Sequence, residues 1–293
     1  MDGVFVVDKP QGWTSHDVVN KMRRIARSER VGHLGTLDPA ATGVLPVVVG
    51  KATRLAQFYT RSDKVYEGVV RFGWATDTYD RDGAPAGEKR EVVLDRAELE
   101  AALERFRGDI LQTPPPVSAK KVDGKRAYEL ARKQIPVALE PVTVHVYELE
   151  LLAVEGAGAR LRVHCSGGTY VRSIAHDLGT LLGCGAHLHE LRRLGSGEFE
   201  IASARTIPQL AALAAEERLI DALVPAAEML PWMPRVYVEE ATVRDIRNGR
   251  NFPASPFRAQ TDAKYVGAVT RQGELVAVGE IVVPNLYHPM VVL

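Results

Sequence analysis

The sequence has few cysteines and no excess of charge of either sign. Its 293 residues include two cysteines, Cys165 and Cys184, which excludes a disulfide framework and a CxxC metal pair. Scarce cysteine favours a reducing compartment such as the cytoplasm. Lysine and arginine total 37, and so do aspartate and glutamate. A nucleic-acid partner would therefore have to be bound by a local basic surface.

Long apolar runs are also missing. No stretch approaches the ~20 apolar residues that a membrane-spanning helix needs. The first residues lack the basic start and long apolar core of a signal peptide. We therefore expect a cytoplasmic protein with no membrane partner. Hydrophobic residues make up 46% of the chain, which is enough for one large domain or a large domain plus a small one.

The pattern of residues predicts a mixture of strands and helices. Residues 3–10 and 64–73 read as strands, and Thr14 to Asp17 offer caps to an amphipathic helix that runs to about Ala26. Residues 207–230 are rich in Ala, Leu and Glu, which favours helix. From about Arg235 onward the pattern indicates only short strands and turns, so we place a domain boundary near residue 232.

Residues 31–50, VGHLGTLDPAATGVLPVVVG, hold one carboxylate, Asp38, in a frame of Gly, Pro and Thr. An aspartate with an ordinary pKa near ~3.9 is ionised at neutral pH, so it needs no general base to act as a nucleophile once its geometry is fixed. The simpler alternative is that Asp-Pro after Thr forms a turn or a helix cap. The stretch lacks the Gly-Lys-Ser/Thr ending and the GxGxxG spacing of nucleotide-binding loops.

Other candidate residues each have a structural alternative. Tyr66 lies in a predicted strand, where a tyrosine most often belongs to the core. Tyr170 and Arg172 are two apart and would face the same way in an extended segment. The two side chains would either form a ladder on the surface, or supply a ring for base stacking (Tyr170) and a cation for Asp38 (Arg172). Residues 112–133 begin with prolines and continue with basic residues, as in a solvated face or an arm that clamps RNA.

The motif HLGTLDPAATGVL resembles the catalytic-aspartate motif of the TruB family, the bacterial tRNA pseudouridine-55 synthases. The tail, with NGRNF and GELVAVGE, resembles a PUA-type RNA-binding domain. Val117 is a departure, because the family often has an aromatic residue there, and it affects a local packing or RNA contact rather than the chemistry. Further motifs similar to the family's occur in the same order over residues 1–225: VVDKPQGWTSHDVV, KVYEG, QTPPPVSAKKVDGKRAYELAR, CSGGTYVRSIAHDLG and GAHLHELRRL.

The resemblance implies that one uridine in the T-loop of tRNA, at position 55, is isomerised to pseudouridine without cofactor or metal. The base would be flipped out of the stack, detached from N1 and reattached through C5. The fold implied is α+β, with a mixed, mostly antiparallel sheet and flanking helices in a catalytic domain over residues 1–231. An RNA-binding insertion would span about 112–133, and a small β-rich PUA-like domain 232–293. The partner would be the T-arm stem-loop, with no obligate protein partner, and we expect a monomer.

The resemblance also implies residue roles. Asp38 would be the catalytic carboxylate and would either attack the sugar C1′ or take a proton from C2′. Arg172 would pair with Asp38 and keep it ionised. Tyr66 would stack on the uracil and help remove the C5 proton. Tyr170 and Leu191 would line the uracil pocket, supported by Lys9. The RNA-binding residues would be His33, which fills the stack left by the flipped nucleotide, and the basic residues Arg23, Arg24, Lys120, Lys121, Lys125 and Arg126.

Two other functions fit parts of the pattern. An RNA-binding or RNA-folding protein without catalysis would use the same basic arm and tail, but it would not need Asp38. A synthase acting on a different RNA would need Asp38 but not the T-arm contacts. The long insertion and the tail favour a T-arm substrate by resemblance.

Overall fold

The structure is a computed structural model that describes residues 1–117, 139–254 and 263–293, together with the backbone of two short strands between the first two ranges. Its helices are α1 (Ser15–Ile25), α2 (Arg96–Leu103), α3 (Val171–Leu181), α4 (Ile207–Ala215) and α5 (Glu240–Arg247). Single 3-10 turns and longer 3-10 helices cover Gly50–Tyr59, Glu104–Phe106, Ile201–Ser203, Leu219–Ala222 and Ala226–Glu228.

The strands of the described residues are numbered in chain order. They are β1 (Gly3–Lys9), β2 (Val31–His33), β3 (Thr42–Val49), β4 (Lys64–Phe72), β5 (Ala75–Thr76), β6 (Pro85–Ala86), β7 (Gly108–Gln112), β8 (Lys121–Val122), β9 (Lys125–Arg126), β10 (Val142–Glu155), β11 (Gly158–Cys165), β12 (Ala186–Ser196), β13 (Phe199–Glu200), β14 (Arg205–Thr206), β15 (Leu223–Pro225), β16 (Arg235–Tyr237), β17 (Phe252–Pro253), β18 (Tyr265–Val269), β19 (Leu275–Val283) and β20 (Leu286–Val292).

One large mixed sheet forms the centre of the protein. Its order is β14-β1-β3-β12-β4-β11-β10-β7, with β2, β13 and β15 paired at its margins. The pairs β1–β14 and β3–β12 are parallel, and the other neighbours along this path are antiparallel. The predicted α+β fold with a mostly antiparallel sheet is therefore confirmed.

Strand β1 is apolar from Gly3 to Val7 because both of its faces are covered there. Successive side chains of a strand point to opposite faces. Phe5 and Val7 enter one core with α1, and Val4 and Val6 enter a second core on the other face. A strand buried on both faces reads as a continuous hydrophobic run.

Helix α1 begins where its capping signals predict. The Asp17 backbone N–H donates to Thr14 Oγ1 at 3.0 Å, and the Thr14 N–H donates to Asp17 Oδ2 at 2.9 Å. This reciprocal capping box satisfies two backbone donors at the helix start. The helix buries Val18, Val19 and Met22 against the sheet, so its basic last turn is left toward solvent.

The tail forms a second sheet with the order β16-β18-β19-β20-β17. The prediction of strands and turns alone was wrong here, because α5 lies within the tail. Its Val243 and Ile246, three residues apart, face one side of the helix and enter a core with Phe252 and Tyr287. That burial stabilises a helix too short to form by itself.

The tail packs directly on the large sheet. Val278 and Val291 share the second core with Val44 and Val48 of β3. The connecting segment is fixed by Arg235, whose Nη2 donates to the backbone carbonyls of residues 227, 229 and 230. The two sheets therefore share one of their cores.

Residues 207–230 are only partly helical. Helix α4 ends at Ala215, and the chain then forms β15, in which Leu223 pairs with Phe5. Pairing with the edge of β1 outweighs the helix preference of the Ala- and Leu-rich composition. Within the described ranges, no helix is long and apolar enough to cross a membrane.

Candidate active site

Asp38 lies in the loop between β2 and β3, and neighbouring groups hold this loop at several points. Ser15 Oγ accepts a hydrogen bond from the Leu37 N–H at 2.8 Å and donates to the Leu37 carbonyl at 3.0 Å. The Gly12 N–H donates to the Pro39 carbonyl at 2.8 Å. The residues on both sides of Asp38 are therefore fixed by the start of α1 and the turn before it.

Arg193 of β12 holds the same loop through hydrogen bonds to its backbone. Its guanidinium donates to the carbonyls of Val44 at 2.7 Å, Gly35 at 3.0 Å and Thr36 at 3.3 Å. Arg193 is 1% exposed. A buried cation needs hydrogen-bond partners, and the backbone carbonyls supply them here. Gly43 allows this approach, because a Cβ atom there would lie 2.2 Å from the Arg193 carbonyl oxygen.

Lys9 is completely buried beside the loop. Its Nζ donates to the Trp13 carbonyl at 2.6 Å, to the Pro10 carbonyl at 3.0 Å and to the Pro39 carbonyl at 3.3 Å. Burial lowers the pKa of Lys9 to about 8, although the nearby Asp38 carboxylate opposes this change. Lys9 thus places a positive charge behind Asp38 and holds the proline that follows it.

Asp38 forms an ion pair with Arg172 at the start of α3. Arg172 Nε lies 3.0 Å from Asp38 Oδ2. Burial in the cleft raises the pKa of the Asp38 carboxyl above its usual range, and the Arg172 guanidinium opposes this rise. The cation therefore favours the ionised carboxylate in a place that otherwise disfavours it.

The rest of the Arg172 guanidinium is fixed by groups from two distant segments. Nη1 donates to the Thr78 carbonyl at 3.1 Å and to Asp80 Oδ2 at 3.2 Å, and Nη2 donates to the Val117 carbonyl at 2.9 Å. Each nitrogen of the guanidinium thus has a partner, so the orientation of the group toward Asp38 is fixed. Val117 contributes its backbone here, whatever its side chain.

A cavity of about 820 Å³ opens above Asp38. Tyr66 is 8% exposed, and burial raises the pKa of its phenol. His33 of β2 lies at the rim of the loop, where its Nδ1 accepts from the Gly35 N–H at 3.3 Å. Several of the residues implied by the resemblance line this cavity together: His33, Asp38, Tyr66, Tyr170, Arg172 and Leu191.

Tyr170 and Arg172 do not share an extended segment, so they do not face the same way as strand residues two apart would. Helix α3 begins at Val171, with Tyr170 as its N-cap residue. Tyr170 is held by Gln112, whose Oε1 accepts from the Tyr170 N–H at 2.8 Å and whose Nε2 donates to the Tyr170 carbonyl at 3.1 Å. Helix formation at Val171 directs Arg172 under the loop while Tyr170 stays at the cavity.

Two of the basic residues expected to bind RNA, Arg23 and Arg24, do not line this cavity. Arg23 and Arg24 lie in the last turn of α1, where Arg23 Nη1 donates to Asn20 Oδ1 at 2.8 Å. Lys120 lies outside the described residues, and so do the side chains of the last three predicted contacts, Lys121, Lys125 and Arg126.

Sequence reasoning missed Asp80, Arg193 and Gln112. Asp80 stands in a polar stretch, TDTYDRDG, which is typical of a surface turn. Arg193 follows another arginine, and adjacent strand residues face opposite sides. That alternation could have indicated that one of the two arginines points inward. Among the residues that the structure describes, no group of three or more His, Cys, Asp or Glu side chains is placed to hold a metal ion.

Comparison with known proteins agrees with this architecture. The family model of the TruB family pseudouridylate synthase N-terminal domain matches residues 23–171, and that of the tRNA pseudouridylate synthase B C-terminal domain matches residues 172–230. A tRNA pseudouridine synthase B from Solibacter usitatus (strain Ellin6076) is 70% identical over 293 residues, which is 100% of each chain. One from Stutzerimonas stutzeri (strain A1501) is 41% identical over 286 residues, covering 96% of this chain and 92% of the relative.

Solved structures show the same fold. A crystal structure of a Cbf5–Nop10–Gar1 complex matches with a TM-score of 0.73 at 30% identity, covering 97% of this chain and 79% of that chain. Fold, cleft and family models together define a pseudouridylate synthase, an isomerase that converts uridine to pseudouridine. The chain belongs to the TruB family of these enzymes. The family predicted from the sequence motifs is therefore confirmed.

Proposed function

We propose that this enzyme isomerises the uridine at position 55 in the T-loop of tRNA, with Asp38 as its catalytic carboxylate. The observation that carries the proposal is the carboxylate of Asp38 held 3.0 Å from Arg172 Nε beneath an open cavity. The two relatives compared above are both tRNA pseudouridine synthase B, which supports tRNA as the substrate.

The cavity suits a nucleotide that has left its stack. Its volume of about 820 Å³ falls within the ~300–1,000 Å³ typical of ligand sites. Tyr66 and Leu191 provide apolar surface there, and Asp38 and Arg172 provide charge. The atoms of the glycosidic bond are inaccessible inside a stacked loop, so the uridine has to flip out at a cost of a few kcal/mol.

The reaction breaks the N1–C1′ bond and forms a C5–C1′ bond. Attack of the Asp38 carboxylate on C1′ would release the uracil anion and leave a covalent sugar ester, which C5 then displaces. Removal of a proton from C2′ by Asp38 would instead give a glycal, to which C5 adds as the proton returns. In both routes N1 gains a proton and C5 loses one, so the isomerisation is balanced without a cofactor. Both routes require Asp38 to be ionised, which the Arg172 ion pair favours.

Tyr66 is proposed to stack on the uracil and to help remove the C5 proton at the end. Burial raises the pKa of Tyr66, so its phenol is protonated near neutral pH. We therefore assign its ring to holding the base throughout, and its hydroxyl to passing on the C5 proton at the end. Lys9 supports the loop, and Tyr170 and Leu191 shape the pocket.

Binding of the T-arm is assigned to surfaces around the cleft. His33 would take the place of the flipped nucleotide in the stack, and phosphates would contact the basic turn of α1 and the basic residues of the insertion at about 112–133. We propose catalytic and PUA-like domains over 1–231 and 232–293, both contributing to RNA binding. Because tRNA is the proposed substrate, we place this enzyme in the cytoplasm, acting as a monomer without an obligate protein partner.

Tritium release tests this function. A T-arm stem-loop RNA labelled at uridine C5 must lose tritium to water when the new C–C bond forms. We expect release by the wild-type chain and none by Asp38→Asn, with RNA binding unchanged. Asp221→Asn is the matched control, because Asp221 is an exposed carboxylate that pairs with Arg218, and it should release tritium normally. Release by Asp38→Asn would show that Asp38 is not the catalytic group. Binding without release by the wild type would support the RNA-binding alternative.

A further inference from the structure

A ring stack joins the helix that carries Arg172 to the loop that carries Asp80. The rings of Tyr79 and His176 lie 3.7 Å apart between centroids, with their planes 12° apart. His176 is four residues after Arg172 on α3, so both side chains lie on one face of the helix. Two successive turns of α3 thus contact two neighbouring residues of one loop.

The backbone of this loop is in an unfavourable conformation at Tyr79. Its φ is 65°, in the left-handed region, which is sterically unfavourable for an L-residue with a Cβ. Such a conformation persists only where surrounding contacts over-determine it. The Tyr79 carbonyl accepts from the Leu188 N–H at 2.9 Å, and the stack fixes the side chain. The ring contact therefore offsets part of the backbone cost.

The position of this loop decides where Arg172 points. Asp80 Oδ1 accepts from Thr78 Oγ1 at 2.6 Å and from the Asp82 N–H at 3.2 Å. Asp80 Oδ2 is thereby turned toward Arg172 Nη1, at 3.2 Å, next to the Thr78 carbonyl at 3.1 Å. A shift of the loop would displace both of these acceptors together, and the guanidinium that pairs with Asp38 would move with them.

Nδ1 of His176 makes no hydrogen bond within the described residues that would explain its buried place. A buried polar atom without a partner is unfavourable, so a purely apolar ring would satisfy the local packing at least as well. What the imidazole contributes to its surroundings is the flat face that lies on Tyr79.

We propose that the Tyr79–His176 stack positions the catalytic ion pair. It holds the Thr78–Asp80 loop against α3, and through Thr78 and Asp80 it fixes the direction in which Arg172 meets Asp38. Tyr79 and His176 are positioning residues, since they act on the reaction through Arg172. The inference deepens the proposed function and rests on it.

Four variants separate the ring contact from the backbone and from general stability. Tyr79→Gly removes the ring but suits the left-handed backbone, because glycine adopts positive φ freely. His176→Ala removes the other ring. Tyr79→Phe and His176→Phe each keep a flat ring in the stack. Thr180→Ala is the control on α3, since Thr180 is exposed one turn beyond His176.

The experiment measures tritium release from C5-labelled T-arm RNA in a single turnover, and the Kd for the same RNA separately. We expect Tyr79→Gly and His176→Ala each to slow release at least about 10-fold, as a small misplacement of catalytic groups does, with the Kd within about twofold of wild type. Both Phe variants and Thr180→Ala should release tritium at close to the wild-type rate. The double variant Tyr79→Gly/His176→Ala should be no slower than the slower single variant, because both substitutions break one contact.

Three results would overturn the inference. One is a wild-type rate in Tyr79→Gly or His176→Ala. Another is a double variant whose release is slowed by the product of the factors found for the two single variants. A third is failure of both Phe variants to restore the rate. If the wild-type chain itself released no tritium, the proposed function would fail and this inference with it. Release by wild type but not by Asp38→Asn establishes the function first, so the two failures are distinguishable.

Discussion

The ion pair between Arg172 and Asp38 is asymmetric in its exposure to the cleft. The Arg172 side chain is 7% exposed, whereas that of Asp38 is 42% exposed, with 3.0 Å between Nε and Oδ2. The cation is therefore enclosed by protein, and the carboxylate faces the cavity. This arrangement leaves the acid available to a bound sugar while its counter-charge stays out of solvent.

Arg172→Lys should abolish most activity although it keeps the charge. A lysine ammonium cannot reproduce the planar fork that reaches Asp38, Asp80 and two carbonyls at once. We expect the single-turnover rate of tritium release from C5-labelled T-arm RNA to fall about 100-fold or more. The Kd for the same RNA should change by less than about threefold. Arg81→Lys is the matched control for an arginine-to-lysine change, because Arg81 lies next to Asp80 in the same loop. A near-normal rate for Arg172→Lys would mean that charge alone suffices.

Arg193→Met should lower the free energy of unfolding by about 3 kcal/mol, because it leaves three buried carbonyls without donors. Arg192→Met is a matched control one residue away. Arg192 pairs with Asp8 but is 42% exposed, so its loss should cost about 1 kcal/mol or less. Urea unfolding of both variants measures the two values, and equal values would contradict the assigned role of Arg193.

Gly43→Ala should destabilise the protein through a clash. Gly43 has a φ of 99°, and a Cβ there would lie 2.2 Å from the Arg193 carbonyl oxygen. Gly87 has a nearly identical φ of 100° with nothing within 4 Å of a Cβ. Gly87→Ala thus measures the backbone cost alone. We expect Gly43→Ala to lower the free energy of unfolding by about 2 kcal/mol more than Gly87→Ala, as determined by urea unfolding.

Lys9 predicts a specific dependence of stability on pH. Burial lowers its pKa to about 8 in the folded protein, against ~10.4 when unfolded. Between these values the unfolded chain binds the extra proton, so the contribution of Lys9 to stability rises with pH. In Lys9→Met, the slope of unfolding free energy against pH near pH ~9 should be smaller by up to ~1.4 kcal/mol per pH unit. Identical slopes for both proteins would exclude a lowered pKa at Lys9.

Tyr66→Phe tests whether the hydroxyl of Tyr66 takes part in the chemistry. The ring and its proposed stacking on uracil are retained, so the Kd for T-arm RNA should stay within about twofold of wild type. Loss of a proton-transfer group costs about 100-fold or more, and single-turnover tritium release should slow by that factor. A rate close to wild type would restrict Tyr66 to stacking.

Several features of this protein could be predicted from the sequence because their signals are local. The Thr14–Asp17 capping box predicts α1, and the alternation of residue types over 64–73 predicts β4, which spans Lys64–Phe72 and is buried at alternate positions. The motif around Asp38 identified the family. In each case the interacting groups lie within about ten residues of one another, so the chain can be read without its fold.

Predictions failed where tertiary contacts outweigh local preference. Pairing with β1 makes Leu223–Pro225 a strand inside an Ala- and Leu-rich stretch. Packing in the small core makes Glu240–Arg247 a helix inside a strand-rich tail. Residues 170–172 follow the start of α3 rather than an extended path. These are short segments whose intrinsic preferences are weak compared with burial.

The amino-acid sequence by itself determined the family and most of the regular elements, and it singled out Asp38 as the carboxylate proposed to be catalytic. Only the tertiary structure decided how the loop that carries Asp38 and the guanidinium of Arg172 are held in place. Arg193 donates a hydrogen bond to the Gly35 carbonyl, 158 residues away in the sequence. Arg172 donates to the Asp80 carboxylate, 92 residues away in the sequence. Such contacts depend on which strands become neighbours in the sheet and on how α3 packs beside them. Their geometry is therefore set by the packed fold, since no local pattern encodes a hydrogen bond between distant segments.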